Sequence, residues 1–274
     1  MSNLNNTYLK YRPPFWWVFC IFFRKKRGIG YTLCMELKIL SWNIWYDGDF
    51  AEISRFLREA DADIVALQEV VPDDATRDTI GFMTSLGYHH VYAPVLTIAD
   101  GRTMSNAIFS KYPIVSTETY ILSEEKSRNA LRADIQVQDT LLHVFTTHLA
   151  HTHQQPSAIQ ESQADTLIAA LPKENTIVMG DMNATPDSIT IQKMRAVMHD
   201  TEMRPLPTLN AHLFDCPDCD RTAIPTTRLD YIFVTPGMHT HDFYVHSSEG
   251  SDHLPVSVKL GGVISSLNSI GAIL

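Results

Sequence analysis

Several polar residues that could do chemistry stand beside short apolar runs in this sequence. They are Asn43, Glu69, His148, Asp181, Asn183, Asp230, Asp252 and His253. A single polar residue in such a place is ordinary, because strands end at polar loops. Six apolar runs flanked in this way point to one shared site, because strand ends converge on one edge of a sheet.

The carboxylates and one amide of this set suit a hard divalent cation. Mg²⁺ and similar ions take oxygen ligands, usually one or two carboxylates together with amide oxygens and water. Glu69, Asp252 and Asn43 offer such oxygens. The residue types therefore predict a site for Mg²⁺ or Mn²⁺ as cofactor.

The other members of the set suit hydrolysis of a phosphate ester. That reaction needs an activated water, relief of negative charge at phosphorus and help for the leaving oxygen. Asp181 is a candidate base, and the neutral amide of Asn183 can bind an oxyanion without repelling that base. His253 can donate to the phosphate, and Asp230 can keep a histidine charged and oriented.

The elements that must position these residues alternate between β-rich runs and helical periodicity. Apolar runs predict strands at residues 37–42, 64–67, 88–93, 104–110, 131–137, 141–147, 176–179, 229–234, 242–246 and 256–260. Helical spacing predicts helices at residues 51–60, about 73–86, 157–171 and 188–198, with an irregular stretch at 200–227. Strands mixed with helices, including hairpin-like strand pairs, predict an α+β sandwich rather than a barrel.

Six short motifs also carry a resemblance. SWNIW, ALQEV, TTHL, GDMN, RLDYIF and SDHLP have the order and spacing of the endonuclease/exonuclease/phosphatase superfamily of DNase I-like, metal-dependent phosphoesterases. The resemblance covers about residues 35–260, and SNAIFSKYPI at 105–114 is similar to the family's strand before its central hairpin. It implies a four-layer αββα sandwich with the site at one edge. It also implies that Glu69 is the main metal ligand and that Asn43 and Asp252 belong to the metal site.

The same resemblance implies roles for the remaining site residues. Asp181 resembles the residue that orients or deprotonates the attacking water, and Asn183 resembles the amide beside the scissile phosphate. Asp230 resembles the acid that pairs with the final histidine, here His253. His148 matches a histidine that contacts the phosphate or aids the leaving group in many members.

Three further residues are weaker candidates for binding substrate. Arg128 and Arg132, before and within a predicted strand, could contact a phosphate. Asn106 lies within the SNAIFSKYPI segment. For either arginine, a surface ion pair is an equally good interpretation.

The cysteines and the histidines of HLAHTH invite a zinc interpretation. Cys216 and Cys219 form one Cys-x-x-Cys, whereas a structural zinc site needs four ligands and the sequence holds no second such pair. His212 offers a third ligand only at a weakly specific spacing. We therefore expect two incidental thiols in a loop, and we expect His151 and His153 to be surface or substrate-loop histidines.

The charge distribution argues against a nucleic acid as the main partner. The chain has 274 residues and a formal net charge of −9. Its first 34 residues carry six bases and no acid, so the remaining 240 carry 16 bases and 31 acids, a net charge of −15. Such a domain lacks the basic stripe that a long polyanion needs. A small phosphorylated metabolite or a lipid head group fits this charge better.

Residues 1–34 form a leader unlike the rest of the chain. Its apolar run at 15–23 is shorter than the roughly 20 residues that span a membrane, and four bases follow at once. A poorly ordered extension, a stretch upstream of a true start at Met35 and an anchor at a membrane interface all stay open. The predicted organisation is this leader, one domain at 35–262 and a tail at 263–274. We expect a cytoplasmic monomer, with membrane contact if the leader is an anchor.

Together these patterns predict a Mg²⁺- or Mn²⁺-dependent phosphoesterase that uses in-line attack of an activated water. Its phosphodiester or phosphomonoester substrate is a nucleic acid, a lipid head group or a small molecule. The alternative from another class is a non-catalytic binding module that keeps the fold and a metal site.

Overall fold

The computed structural model describes residues 33–220 and 222–265, which form two six-stranded sheets and four α-helices. The strands are β1 Leu33–Asn43, β2 Ile64–Val70, β3 His89–Thr97, β4 Thr103–Ser110, β5 Ile114–Ser123, β6 Arg128–Val137, β7 Thr140–His148, β8 Thr176–Asp181, β9 His199–Asp200, β10 Asp230–Val234, β11 His239–Val245 and β12 Val256–Ser265. The helices are α1 Phe50–Ala60, α2 Thr79–Ser85, α3 Ala158–Ala170 and α4 Ile189–Val197.

The two sheets pack face to face and the helices cover their outer faces. The first sheet has the order β11-β12-β1-β2-β4-β3, and the second has the order β5-β6-β7-β8-β10-β9. Apolar side chains from both sheets fill the space between them, among them Ile39, Ile64, Leu131 and Val144. Separate apolar clusters join α1 and α2 to the first sheet and α3 and α4 to the second. This arrangement confirms the predicted α+β sandwich with αββα layers.

A parallel strand pair lies within each sheet and directs polar residues to one edge. β1 pairs with β2 in parallel and α1 connects them, while β7 pairs with β8 and α3 connects them. In these registers Asn43 lies beside Gln68, and His148 lies beside Asp181. Because parallel strands end at the same edge of a sheet, the residues at their carboxyl ends are brought together.

The second helix is shorter than the predicted span of 73–86. The Asp74 carboxylate accepts from the Thr76 backbone N–H at 2.9 Å and from its hydroxyl at 2.6 Å, which holds this segment in a turn. Asp78 then caps α2 by accepting from the Gly81 N–H at 2.7 Å. The two side chains therefore stop the helix from starting earlier.

Strand β5 was not among the predicted strands, because its sequence IVSTETYILS is largely polar and most of its side chains are exposed on the sheet edge. The irregular stretch at 200–227 is confirmed for the described residues, apart from the end of β9 and one 3₁₀ turn, Ile224–Thr226. Within this loop Cys216 and Cys219 form a disulfide, so the prediction of two incidental thiols is wrong. A turn in which the Cys219 N–H donates to the Cys216 carbonyl at 3.2 Å brings the two side chains together.

The predicted leader at 1–34 lies almost wholly outside the described residues, as does most of the predicted tail at 263–274. β1 begins at residue 33 and β12 ends at residue 265, so strand pairing extends slightly beyond the predicted domain bounds. In the described part of the chain, no helix is both long enough and apolar enough to cross a membrane.

A buried ion-pair network ties the loop after α4 to the second sheet. Arg228 Nη2 lies 2.8 Å from Asp200 Oδ1, and both side chains are fully buried. Arg195 of α4 lies 2.7 Å from the other oxygen of Asp200. Removing one partner of such a pair leaves an uncompensated buried charge, which costs about 3–5 kcal/mol.

We therefore expect Asp200→Ala to lower the free energy of unfolding by about 3–5 kcal/mol in a urea titration. Asp165→Ala is the matched control, because Asp165 pairs with Lys193 at 2.6 Å with most of its side chain exposed. Exposed pairs of this kind contribute about 0–1 kcal/mol. Equally small losses in both variants would contradict the structural role of the buried network.

Candidate active site

Three of the candidate residues form a row across the second sheet. His148 at the end of β7 pairs with Asp181 at the end of β8, and Asp181 pairs in turn with Asp230 at the start of β10. Asn43 ends β1 in the first sheet, and its Nδ2 lies 3.2 Å from Asp181 Oδ2. The ends of strands from both sheets therefore meet at one edge of the sandwich.

Asp181 lies at the centre of this edge and is 1% exposed. Its Oδ1 accepts from the backbone N–H of Asn183 at 2.8 Å, and its Oδ2 accepts from Asn43 Nδ2. The Nε2 atoms of His148 and His253 lie 3.4 Å and 3.6 Å from Oδ2. Burial raises the pKa of Asp181 to about 7, a value suited to a base at neutral pH.

The glycine of GDMN allows β8 to run this close to β7. Gly180 has a φ of +144°, and a Cβ atom there would lie 2.0 Å from the carbonyl oxygen of Thr147. The backbone of β7 cannot move aside without breaking its sheet pairing. Gly180 is therefore a structural requirement for placing Asp181.

A β-bulge directs Glu69 into the site. The pairing of β2 with β4 shifts between Leu67 and Val70, and Glu69 has a φ of +60°. Bulges near active sites re-aim side chains, and a non-glycine residue in this region is held there by its surroundings. Glu69 Oε1 accepts from Asn43 Nδ2 at 3.0 Å, and Oε2 accepts from the Tyr46 N–H at 3.2 Å.

Asn43 links the two carboxylates of the neighbouring strands. Its Nδ2 donates to both Glu69 and Asp181, while its Oδ1 accepts from the Trp45 N–H at 3.0 Å. Because two acceptors hold the nitrogen and one donor holds the oxygen, the amide is oriented with its nitrogen toward the carboxylates. In this arrangement Asn43 sets the spacing of Glu69 and Asp181, and its predicted role as a metal ligand stays a prediction.

His253 and Asp230 form a buried pair beside Asp181. His253 Nδ1 lies 2.9 Å from Asp230 Oδ2, and the Trp42 indole N–H donates to the His253 carbonyl at 2.9 Å. Burial by itself lowers the pKa of His253, but the carboxylates of Asp230 and Asp181 raise it well above its ordinary value. The ring is therefore positively charged at neutral pH.

The imidazole of His148, in contrast, is neutral at neutral pH. Burial, followed by the nearby Arg128 guanidinium, lowers the pKa of His148 well below its ordinary value. Its Nδ1 lies 3.8 Å from Glu69 Oε1, and its Nε2 lies beside Asp181. The site therefore holds one neutral and one charged imidazole on the same carboxylate.

The Asn183 side chain is held beside Asp181 by three contacts. Its Nδ2 donates to the Leu149 carbonyl at 3.1 Å and to Asp181 Oδ2 at 3.3 Å. Its Oδ1 lies 3.0 Å from Nδ1 of His151, a histidine that was predicted only as a surface or substrate-loop residue. His151 therefore adds a contact to the site that the strand pattern did not indicate.

Arg128 is the one weaker candidate that the structure brings to the described site residues. It begins β6, and the charges of Asp181 and Glu69 act on its guanidinium, although burial lowers its pKa. Within the described residues, its Nε and Nη1 atoms have no hydrogen-bond partner. A half-buried cation with two buried, unused donor atoms is well suited to bind a phosphate oxygen.

Arg132 and Asn106 have other partners, so the geometry does not support their predicted contacts with substrate. Arg132 Nε lies 2.7 Å from Asp134 Oδ1 in an ion pair, which was the alternative interpretation. Asn106 is fully buried, and its Nδ2 donates to Asn129 Oδ1 at 3.0 Å. It supports the strand that carries Arg128.

Arg77 lies near the site although no sequence signal marked it. Its Nη2 donates to the Trp45 carbonyl at 2.8 Å, and the charge of Glu69 acts on it. Its Nε and Nη1 atoms have no partner within the described residues. Arg77 lies in the turn before α2, where the sequence predicted a helix rather than a strand end.

The donor set at this edge fits a hard divalent cation. Burial, followed by the charge of Asp252, raises the pKa of Glu69, and burial raises the pKa of Asp252. Ligand atoms of Asp181, Asp230 and His253 also lie within 4.8 Å of one another, and Asp230 Oδ1 has no partner within the described residues. A cation would relieve this crowding of carboxylates, and oxygen donors of this kind suit Mg²⁺ or Mn²⁺.

The sequence profile of the endonuclease/exonuclease/phosphatase family matches residues 40–253. The chain belongs to this family. The match contains five of the motifs whole and reaches His253 of SDHLP, so the resemblance that they carry is confirmed. A comparison with curated protein sequences gives no match.

Solved structures share the fold of this family member at low sequence identity. An endonuclease/exonuclease/phosphatase from Beutenbergia cavernae is 21% identical, with a TM-score of 0.67 over 83% of this chain and 72% of that one. A mannosyl-6-phosphatase from Bacteroides thetaiotaomicron is 18% identical, with a TM-score of 0.61 over 82% and 99%. An AP endonuclease from Archaeoglobus fulgidus is 20% identical, with a TM-score of 0.59 over 81% and 98%. These similarities confirm the predicted DNase I-like fold class.

Proposed function

We propose that this family member is a divalent-metal-dependent phosphoesterase that hydrolyses its substrate by in-line attack of water. The observation that carries the proposal is the environment of Asp181. This buried carboxylate has a pKa of about 7 and lies within 3.6 Å of one neutral and one charged imidazole. A base and a hydrogen-bond donor of fixed charge are the groups that phosphate-ester hydrolysis requires.

Asp181 accepts a proton from the attacking water. The Asn183 N–H and Asn43 Nδ2 hold its two oxygens, so the carboxylate cannot rotate away from the water. A base held in this way loses little entropy when the transition state forms. Its pKa near neutrality matches the pH at which it must accept a proton.

The histidines and Arg128 act on the phosphoryl group. The charged His253 donates from Nε2 to a phosphoryl oxygen, and Asp230 keeps its ring oriented through Nδ1. Arg128 offers its unused Nε and Nη1 donors to the same group. The neutral His148 donates a hydrogen bond toward the leaving oxygen without adding positive charge beside the base.

Glu69 and Asp252 would hold the divalent cation, with Asn43 beside them. When bound, Mg²⁺ or Mn²⁺ supplies positive charge that stabilises the phosphoryl and leaving oxygens. The bulge that turns Glu69 inward and the two N–H groups on its oxygens keep this carboxylate in place. Glu69 and Asp252 thus form an acidic pocket next to the base Asp181.

A small or lipid-linked phosphoester is the substrate class that we propose. The 240 residues after the leader carry a net charge of −15, which disfavours a long polyanion. The fold occurs in a protein described as a mannosyl-6-phosphatase and in one described as an AP endonuclease, so it is compatible with both classes. The charge of this chain supports the smaller substrate.

A panel of substrates assayed with Mg²⁺ and with Mn²⁺ tests the proposal. The panel contains bis-p-nitrophenyl phosphate, p-nitrophenyl phosphate, sphingomyelin vesicles and plasmid DNA. We expect hydrolysis of at least one small or lipid phosphoester without nicking of the plasmid. Nicking at a comparable rate would overturn the substrate proposal, and failure on the whole panel despite metal binding would favour a non-catalytic binding module.

We expect Arg128→Gln to lower kcat/KM about 10–100-fold, because a hydrogen bond to a charged group contributes about 1.5–3 kcal/mol. Steady-state kinetics on the best substrate of the panel measure this loss. Arg132→Gln is the matched control, since Arg132 is on the same strand but pairs with Asp134. An equal loss in both variants would mean that Arg128 acts through the stability of β6 rather than on substrate.

A further inference from the structure

Four metal-ligating side chains meet beside the active site but take no part in the proposed hydrolysis. They are His151 and His153, in the segment after β7, and Cys216 and Cys219, in the loop between α4 and β10. One ligand atom from each lies within 4.8 Å of the others. The sequence separations across the cluster are 63 to 68 residues, so the fold alone brings these segments together.

The nitrogen-to-sulfur distances are close to the distance between a nitrogen and a sulfur ligand of one zinc ion. His153 Nδ1 lies 3.3 Å from Cys216 Sγ and 3.8 Å from Cys219 Sγ, and His151 Nε2 lies 3.8 Å from both sulfurs. Zinc binds nitrogen at about 2.1 Å and sulfur at about 2.3 Å, which places such atoms roughly 3.6 Å apart in a tetrahedron. All four distances lie close to that value, and reduction of the disulfide lets the two sulfurs separate into two ligand positions.

The lone pair of His151 faces the sulfurs. Its Nδ1 lies 3.0 Å from Asn183 Oδ1, an acceptor, so Nδ1 carries the proton and Nε2 is the free ligand atom. Histidines that bind metals commonly donate their other N–H to an oxygen in this way. The contact also joins the cluster to Asn183 in the active site.

The backbone of the second histidine is held in an uncommon conformation. His153 has a φ of +53° and the following Gln154 has a φ of +58°. Two successive non-glycine residues in the left-handed region cost free energy and persist where the surroundings require them. This conformation brings His153 Nδ1 to the two sulfurs.

The disulfide between Cys216 and Cys219 does not explain why the two histidine side chains point at these sulfurs. A disulfide sulfur carries no proton and is a weak acceptor, yet two imidazole nitrogens point at the Cys216–Cys219 bond. Both cysteines are only 7% exposed and lie in a small apolar cluster. Thiolates in such a place need a positive partner.

We propose that reduced Cys216 and Cys219 bind one zinc ion together with His151 and His153. Reduction of the disulfide takes two electrons from a thiol or phosphine reductant and two protons, and gives two thiols. Each thiol then releases a proton as its thiolate binds Zn²⁺. The ion has four protein ligands and no open position, as in structural zinc sites. It anchors the loop at 200–227 to the segment that positions Asn183.

Metal content of the full chain tests the site. The protein is purified with a phosphine reductant, stripped of metal and titrated with Zn²⁺, and with Co²⁺ as a spectroscopic probe. We expect one equivalent of zinc at this cluster, besides any ion at the acidic pocket, and a thiolate-to-cobalt charge-transfer band typical of tetrahedral cobalt. Absence of that band in the reduced parent protein overturns the proposal whatever the variants do.

Substitutions assign the ligands. Cys219→Ser and His153→Ala should each weaken zinc binding at least about 100-fold, since even residues that only support a ligand contribute about 10–100-fold. His212→Ala and His199→Ala are the controls, because neither of these described residues belongs to the cluster. Equal losses in variants and controls would overturn the assignment.

Binding at the acidic pocket is a separate outcome that the test distinguishes. Asp181→Asn should leave the cobalt–thiolate band unchanged, because Asp181 contributes no atom to the cysteine and histidine cluster. Cobalt binding without a thiolate band, lost in Glu69→Ala but kept in Cys219→Ser, would place the ion at the acidic pocket instead. The zinc proposal therefore fails or succeeds independently of the proposed hydrolysis.

Discussion

Replacement of Asp181 with asparagine is expected to lower kcat by at least about 10³-fold, since general bases contribute about 10²–10⁴-fold. The carboxylate is buried, and its pKa of about 7 lets it accept a proton from water at neutral pH. A carboxamide of the same shape cannot accept that proton. The measurement is kcat on bis-p-nitrophenyl phosphate, or on the best substrate of the panel, at saturating Mg²⁺ or Mn²⁺.

In the absence of metal, the Asp181→Asn protein should be at least as stable as the parent protein. The folded pKa of Asp181, about 7, lies above its ordinary value of 3.8, so the folded chain binds more protons between these values. Its carboxylate therefore makes the metal-free fold less stable as the pH rises from about 4 to about 7. Asparagine has no charge to bury, so the urea midpoint of Asp181→Asn in EDTA at pH 8 should equal or exceed that of the parent.

Asp187→Asn is the matched control for this loss of activity. Asp187 is exposed, lies six residues further along the chain and accepts from the Thr185 hydroxyl at 2.6 Å. Its kcat should stay within about twofold of the parent value, because surface substitutions away from a site usually have small effects. Parent-like activity in Asp181→Asn, or an equal loss in both variants, would show that Asp181 is not the base.

The convergence of the site could be predicted because it depends on strand ends. Asp181 and His148 each follow an apolar run, and in a parallel pair such residues lie side by side. The pairing of Asp181 with Asp230 needs only the next strand of the same sheet. The hydrogen bonds that join Asn43 to Glu69 and Asp181 could not be predicted in the same way, because the two sheets meet only after packing.

Features that depend on contacts between distant segments left no pattern in the sequence. The bulge that directs Glu69 inward arises from pairing with β4, and a local run such as ALQEV does not show it. Arg77 reaches the site from a turn that has the composition of a helix start. His151 and Cys216 are 65 residues apart, so the sequence around either residue does not predict their contact. The exposed edge strand β5 lacks the apolar alternation by which strands are identified.

Removal of Glu69 or of the divalent cation should have the second large effect. The two carboxylate oxygens of Glu69 are held by Asn43 Nδ2 and by the Tyr46 N–H, so the side chain is fixed where a cation would bind. We expect EDTA to abolish hydrolysis and added Mg²⁺ or Mn²⁺ to restore it. Glu69→Ala should weaken binding of the activating metal at least about 100-fold, since even supporting residues contribute about 10–100-fold to metal affinity.

A titration of activity against Mg²⁺ shows which of the candidate metal sites binds the activating ion. Glu118→Ala is the control, because Glu118 is exposed on β5 and its titration curve should match that of the parent. Mg²⁺ prefers oxygen donors and cannot refill a cysteine and histidine cluster, so recovery with Mg²⁺ alone after EDTA identifies the acidic pocket as the activating site. Activity that survives EDTA would exclude a metal-dependent mechanism. A parent-like titration curve for Glu69→Ala would instead indicate that the activating ion binds at Asp181, Asp230 and His253. The ligand atoms of these three residues lie within 4.8 Å of one another.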